Sequence, residues 1–280
     1  MENAIRRILV PLDPSIYADA ATQTACRVAK IHGAAVAGVA VLDSHEITSS
    51  LVPAIGPYYP MMIDAVHDKK QHADHILKDC LERFASTCDA EGIEHFETQW
   101  EGIPAEKLLE SSIFYDLVVM GLETFFHFET RGEKGDSLSE LLDHTITPVL
   151  AVPAVGLKKI DRVLVAFDGS LASARALQDF SRFAPPFDME VTVFVAEKPS
   201  READFLLSEA KSFLLSHGID NIILRQEDEP VEISLPRSYL DTFDLVVAGI
   251  HSKRAVKDFF VGSFAKTLIE QKETALFLSH

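Results

Sequence analysis

Two consecutive α/β domains, each a parallel sheet with helices on both faces, are the fold this sequence predicts. Three observations carry that expectation. The chain repeats itself, apolar strand-like runs alternate with helix-like patterns, and 280 residues suffice for two ordinary domains.

The repeat is read directly. "RRILVPLDPS" (Arg6–Ser15) aligns with "DRVLVAFDGS" (Asp161–Ser170), "AVAGVAVLD" from Ala35 with "EVTVFVAEK" from Glu190, and "DLVVMG" (Asp116–Gly121) with "DLVVAG" (Asp244–Gly249). "TPVLAVP" (Thr147–Pro153) matches "TALFLSH" (Thr274–His280) in the same order. Asp13 and Asp168 are 155 residues apart, whereas Gly121 and Gly249 are 128 apart, so the first half carries 27 extra residues. They fall in "SHEITSSLVPAIGPYYPMMIDAVHDKK", whose prolines and glycine read as a loop. The period is too long for a solenoid, so each copy is expected to be a domain, 1–154 and 158–280, joined by "PAVGLKKI" (Pro153–Ile160).

Each half begins with an apolar run that reads as a buried strand. "ADAATQTACRVAKIHG" and "LASARALQDFSRFA" follow these first strands as helices. "ADHILKDCLERFASTCDAEGI" and "EADFLLSEAKSFLLSHGI" follow the second strands, each closing at a glycine suited to a helix C-terminus. Strand–helix alternation implies right-handed crossovers and strands buried on both faces.

Composition narrows the function. A formal net charge of −17 opposes any broad contact with nucleic acid or anionic lipid, which need a cationic face. No apolar run is long enough to span a bilayer, and "MENAIRRILVPLD" enters a strand without a signal-peptide core, so a cytoplasmic protein is expected. Cys26, Cys80 and Cys88 are too few and too scattered for a disulfide framework or a zinc knuckle, and read as buried thiols.

In an open parallel sheet, ligands bind beyond the carboxyl ends of the strands where strand order reverses. Asp13 and Asp168 end the first strands, and Gly121 and Gly249 end the fourth, so each half is expected to gather them at one crevice. Gly249 permits a tight exit from its strand, and Gly262 lets backbone approach a ligand with no Cβ in the way. Ser263 opens a helix, where unpaired N–H groups favour an anion and where a plain N-cap is the alternative. Local charge differs between the halves: Gly249–Ser263 carries +2, from Lys253, Arg254 and Lys257 against Asp258. Gly121–Ser137 carries −2, from Arg131 and Lys134 against Glu123, Glu129, Glu133 and Asp136.

These residues resemble the universal stress proteins, here as a tandem pair covering nearly the whole chain. The resemblance rests on "ILVPLDPS" and "VLVAFDGS", on "DLVVMG" and "DLVVAG", and on the spacing that follows. ATP-binding members carry Gly-x2-Gly-x9-Gly-Ser/Thr. The second half has Gly249-x2-Ser252-x9-Gly262-Ser263, with Ser in place of one Gly. The first half has Gly121-x2-Thr124, then ten residues before Gly135, Asp136 and Ser137, and so departs in length and chemistry. It keeps Gly102-x-Pro104, which the family often places before its third helix, whereas "EDEPVEISL" in the second half lacks that glycine.

The resemblance implies a five-stranded parallel sheet in each half, of the Rossmann-like, adenine nucleotide alpha hydrolase-like class. It also implies that Asp168 and Val195 flank base and ribose, that ATP (or ADP or AMP) is the ligand, and that fifth strands pair across a two-fold axis. Here that pairing would make one chain an intramolecular pseudo-dimer, with a homodimer left open. The expected function is a stress-response regulator that binds an adenine nucleotide mainly in its C-terminal domain. The alternative is a tandem scaffold with no nucleotide, acting through an unknown protein partner.

No Walker A loop, G-x-G-x-x-G or other catalytic signature is present, and a dedicated enzyme is not expected. Slow ATP hydrolysis would be a by-product of binding. A polar stripe, Asp68, His72, His75 and Asp79, falls at i, i+4, i+7 and i+11 of a helix and is the one candidate for a divalent metal, against the plainer reading of a solvated face.

Overall fold

The computed structural model describes residues 5–49, 59–126, 128, 137–196, 200–228, 235, 240–250 and 263–280. The first half runs β1 (Arg7–Leu12), α1 (Ile16–His32), β2 (Ala35–Leu42), α2 (Ser44–Ser49), α3 (Tyr59–Glu91), β3 (His95–Glu101), α4 (Pro104–Ser112), β4 (Leu117–Gly121), α5 (Ser137–Leu142) and β5 (Val149–Val152). The second runs β6 (Arg162–Ala166), α6 (Leu171–Phe183), β7 (Glu190–Ala196), α7 (Arg201–Ser216), β8 (Ile222–Glu227), β9 (Leu245–Gly249), α8 (Ser263–Gln271) and β10 (Ala275–Ser279).

Each half forms five parallel strands, in the order 3-2-1-4-5 and its counterpart 8-7-6-9-10. The two sets are one ten-stranded sheet rather than two. β5 and β10 pair antiparallel, with Leu150 opposite Phe277 and Ala151 opposite Leu276. This is the fifth-strand pairing that the family resemblance implies, and it leaves β3 and β8 as the outer edges. Strand side chains alternate between two apolar layers: Ile8, Val10, Leu117 and Val119 pack under α1 and α3, and Leu9, Val118 and Met120 pack under α4 and α5. The first layer is continuous across the seam. His32 at the end of α1 stacks on Phe183 of α6 with ring centroids 5.6 Å apart, and Phe183 lies 5.4 Å from Phe277 of β10.

The repeated residues have repeated jobs. Asp116 Oδ2 accepts from the backbone N–H groups of Arg6 (2.8 Å) and Arg7 (3.0 Å), and Asp244 Oδ2 accepts from those of Asp161 and Arg162 (both 2.9 Å). In each half, this carboxylate ties the entry of the first strand to the entry of the fourth. Ser15 and Ser170 cap α1 and α6, accepting from Ala18 N–H and Ser173 N–H. Gly92 and Gly218 take φ of +68° and +80° where α3 and α7 end, which is why those helices close at glycine.

Two features depart from expectation. The insertion is not a loop throughout: α2 forms at residues 44–49, and residues 59–70 belong to the 33-residue α3. Pro60 falls in the first turn of α3, where a missing N–H breaks no helical bond, so the proline did not stop the helix. Asp43 Oδ1 accepts from Glu46 N–H at 2.9 Å and starts α2. The linker, in turn, is strapped to α1. Leu157 N–H donates to Thr24 Oγ1 (3.1 Å), Arg27 Nη1 donates to the Leu157 carbonyl (2.9 Å), and Leu157 and Ile160 are buried. Gly156, at φ +67°, makes the turn beside Thr24.

Candidate functional site

Strand order reverses between β1 and β4 in the first half and between β6 and β9 in the second. A crevice therefore opens at the carboxyl end of each pair.

In the second half, β6 is flanked by β7 and β9. Val165 lies opposite Val193 and Val247, and Phe167 N–H donates to the Phe194 carbonyl at 2.9 Å. This register brings Asp168, Val195 and Gly249 to the same rim. Asp168 is partly exposed, and its Oδ1 accepts from Ser170 N–H at 2.9 Å. The Val195 side chain is buried in the core, so only its backbone can face a ligand. Gly249 lies flat against the first turn of α6: a Cβ there would stand 2.5 Å from the Ala172 carbonyl carbon and 2.6 Å from Ser173 N. Its glycine is thus required by α6 as much as by the loop that follows. Ser263 is the first residue of α8. Ser252 and Gly262, the other two candidate residues, lie outside the described residues.

The first crevice is built of the same parts, which here bond to one another. Asp13 is 1% exposed. Its Oδ1 accepts from Ser15 Oγ (2.6 Å) and Ser15 N–H (3.2 Å), and its Oδ2 accepts from Phe125 N–H (2.6 Å). Burial pushes the Asp13 carboxyl up, and these hydrogen bonds pull against it. Phe126 N–H donates to Ser137 Oγ (3.4 Å), and Thr124 Oγ1 turns back to both backbone groups of Gly121. Over this folded-back segment lies Tyr17, whose hydroxyl donates to Glu123. Glu123 also pairs with Lys272, which comes from the second half at a backbone φ of +59°. The Tyr17 phenol is pushed up to about 12 by burial first and then by the Glu123 carboxylate.

The repeat offsets give the residues aligned with these three in the other half. Tyr17 corresponds to Ala172, Glu123 to His251 and Lys272 to Thr145. The aligned positions therefore hold no phenol, carboxylate or ammonium. The plug of Tyr17, Glu123 and Lys272 escaped sequence reading because its three members are far apart in the chain. The signal was present only as a contrast between aligned positions, Tyr against Ala.

Beside the first crevice, a cleft of about 480 Å³ opens at the end of β2 between α2, α4 and α5. Five carboxylates line it, those of Asp43, Glu46, Glu106, Glu140 and Asp143, which makes that side of the molecule hostile to polyphosphate. The polar stripe on α3 does not gather a metal site. His75 Nε2 lies 3.9 Å from Asp79 on an exposed face, and no three His, Cys, Asp or Glu among the described residues are arranged to hold an ion. Side chains at i, i+4, i+7 and i+11 share a helix face, but its ends are some 16 Å apart at 1.5 Å per residue, too far for one ion.

Residues 4–153 match the family model described as "Universal stress protein family". The chain belongs to the universal stress protein family. Solved structures agree over the full length. A universal stress protein from Archaeoglobus fulgidus DSM 4304 is 18% identical, with 98% of this chain and 95% of that one covered at a TM-score of 0.67. A functionally unknown protein from Pseudomonas aeruginosa PAO1 is 14% identical, with 99% and 93% covered at 0.61. At these identities the likeness concerns the fold, and it spans both halves of this universal stress protein. No curated protein matches the chain. Among the described residues, no helix is long and apolar enough to cross a membrane.

Proposed function

We propose that this universal stress protein is a stress-response regulator that binds an adenine nucleotide, ATP foremost, in the crevice of its second half. Residues 1–154 and 158–280 are read as its two domains. The observation that carries the assignment is the plug. Tyr17, Glu123 and Lys272 bond to one another beside the first crevice, whereas alanine and threonine stand at the positions of Tyr17 and Lys272 in the second half. A carboxylate held by a phenol and an ammonium stands close to where an anionic ligand would need room, so the first half supplies its own anion. In the second half, the partly exposed Asp168 and the backbone at Val195 would hold ribose and base. The +2 segment from Gly249 to Ser263 would hold the phosphates. The nucleotide serves as a regulatory ligand, and no residue is assigned a catalytic role.

Calorimetric titration with ATP of Gly262→Asp and Gly135→Asp tests the assignment. A unit charge placed about 4 Å from a phosphate, at an effective dielectric near 20, repels it by roughly 4 kcal/mol, or about three decades of affinity. Gly262→Asp abolishes micromolar binding, and Gly135→Asp leaves it intact. Equal loss in both, no loss in either, or loss only from Gly135→Asp defeats the proposal. Mass spectrometry of small molecules released from the purified, denatured chain identifies which nucleotide it retains.

A further inference from the structure

Two of the three cysteines meet inside the first half. Cys26 projects from the middle of α1 and Cys88 from the last turn of α3, and their sulfurs lie 3.6 Å apart in the buried layer under the two helices. Cys80, two turns earlier on α3, lies 3.5 Å from the guanidinium of Arg83 instead. We propose that Cys26 and Cys88 form a redox modification site, which a hydroperoxide converts into a disulfide stapling α1 to α3.

Either thiol can donate across the 3.6 Å contact; with Cys88 as the donor, the Cys26 thiol is held below its usual range and Cys88 is pushed up. In that form Cys26 is the attacking sulfur. Its thiolate attacks the outer oxygen of the hydroperoxide, forming an S–O bond and breaking the O–O bond. The alkoxide released takes up the proton lost by Cys26 and leaves as an alcohol. The Cys88 sulfur then attacks the sulfenic sulfur: an S–S bond forms, the S–O bond breaks, and the hydroxyl departs with the Cys88 proton as water. Two thiols lose two electrons and the peroxide gains them.

Access comes from the end of α3. Cys88 O accepts from Ile93 N–H (3.0 Å) in the closing turn before Gly92, so fraying of one helical turn exposes the pair while the sheet stays folded. Burial otherwise protects both thiols, so the site responds to sustained oxidant rather than to a trace. Once formed, the bridge closes a long loop that includes α2 and nearly all of α3, where a crosslink restricts the unfolded chain most.

The full-length reduced chain is treated with hydrogen peroxide, its remaining thiols are alkylated after denaturation, and a non-reduced digest is mapped by mass spectrometry. One free thiol, Cys80, remains, and the peptides carrying Cys26 and Cys88 travel as one species that dithiothreitol separates. The oxidised chain melts about 5 °C or more above the reduced chain. Cys80→Ser retains the loss of two thiols, and Cys88→Ser abolishes it. Three free thiols after treatment, sulfinic acid in place of a bridge, or Cys80 in the linked peptide would each overturn the proposal, and all three are read on the unmutated chain.

Discussion

Gly249→Ala probes the second crevice at its tightest point. The added Cβ would stand 2.5 Å from the Ala172 carbonyl carbon, 2.6 Å from Ser173 N and 2.8 Å from the Ala172 oxygen. Ordinary contact begins near 3.5 Å, so α6 or β9 must retreat by roughly 1 Å. The struck peptide is also the one whose N–H donates to the capping Ser170 Oγ at 3.1 Å. Overpacking costs about 1–3 kcal/mol and a lost cap about 1 kcal/mol, giving about 2–4 kcal/mol together. A thermal midpoint lower by roughly 5–10 °C is expected. The displacement reaches the proposed nucleotide site as well, because Asp168 N–H donates to Ser173 Oγ. Urea unfolding and ATP calorimetry on the same sample are the assays, with ATP affinity expected to fall at least about tenfold for a shift of 1.4 kcal/mol. The paired variant Gly121→Ala, whose Cβ would strike Tyr17, is expected to lose stability and keep its ATP affinity. A Gly249→Ala chain with wild-type midpoint and wild-type affinity would refute the reasoning.

Further predictions concern the plug, the linker and the seam. In an alkaline titration followed by ultraviolet absorbance, Tyr17 ionises at about 12 rather than near 10. Since its folded value is raised, the associated stability is present below pH 10 and is lost as pH rises through 12; Tyr17→Phe removes that slope, and an unchanged high-pH profile would contradict the buried contact with Glu123. Thr24→Val leaves the Leu157 N–H without its acceptor and lowers the unfolding free energy by about 1–3 kcal/mol in urea titration. Residues 1–154 expressed alone expose the β5 edge and the His32 face, and sedimentation equilibrium is expected to find a dimer; a stable monomer across a wide concentration range would count against the seam as drawn.

The parts of the fold that were legible in the sequence are those set by local pattern. Asp13 and Asp168, followed two residues later by a capping serine, marked strand-to-helix turns in both copies. Glycines at 92 and 218 marked helix ends because only a left-handed residue closes them there. What stayed hidden depends on contacts between distant segments. Asp116 and Asp244 were visible as repeated letters, yet their task required knowing that the first and fourth strands are neighbours. The proline in the first turn of α3 looked like a loop signal, since position within a helix decides whether proline breaks it. Lys272 could not be linked to Glu123 before the antiparallel seam placed the end of α8 beside the first crevice.

The reversal at β5 and β10 fixes a directional property of the molecule. Every strand of the first half points its carboxyl end the opposite way from every strand of the second, so the two crevice rims lie on opposite poles of a single slab. A molecule held at one rim never meets one held at the other, and a single protein face covering one pole leaves the far pole uncovered. The chain is thus polar without a long axis of repeats: the pole where Tyr17, Glu123 and Lys272 meet differs from the pole where Gly249 lies against Ala172.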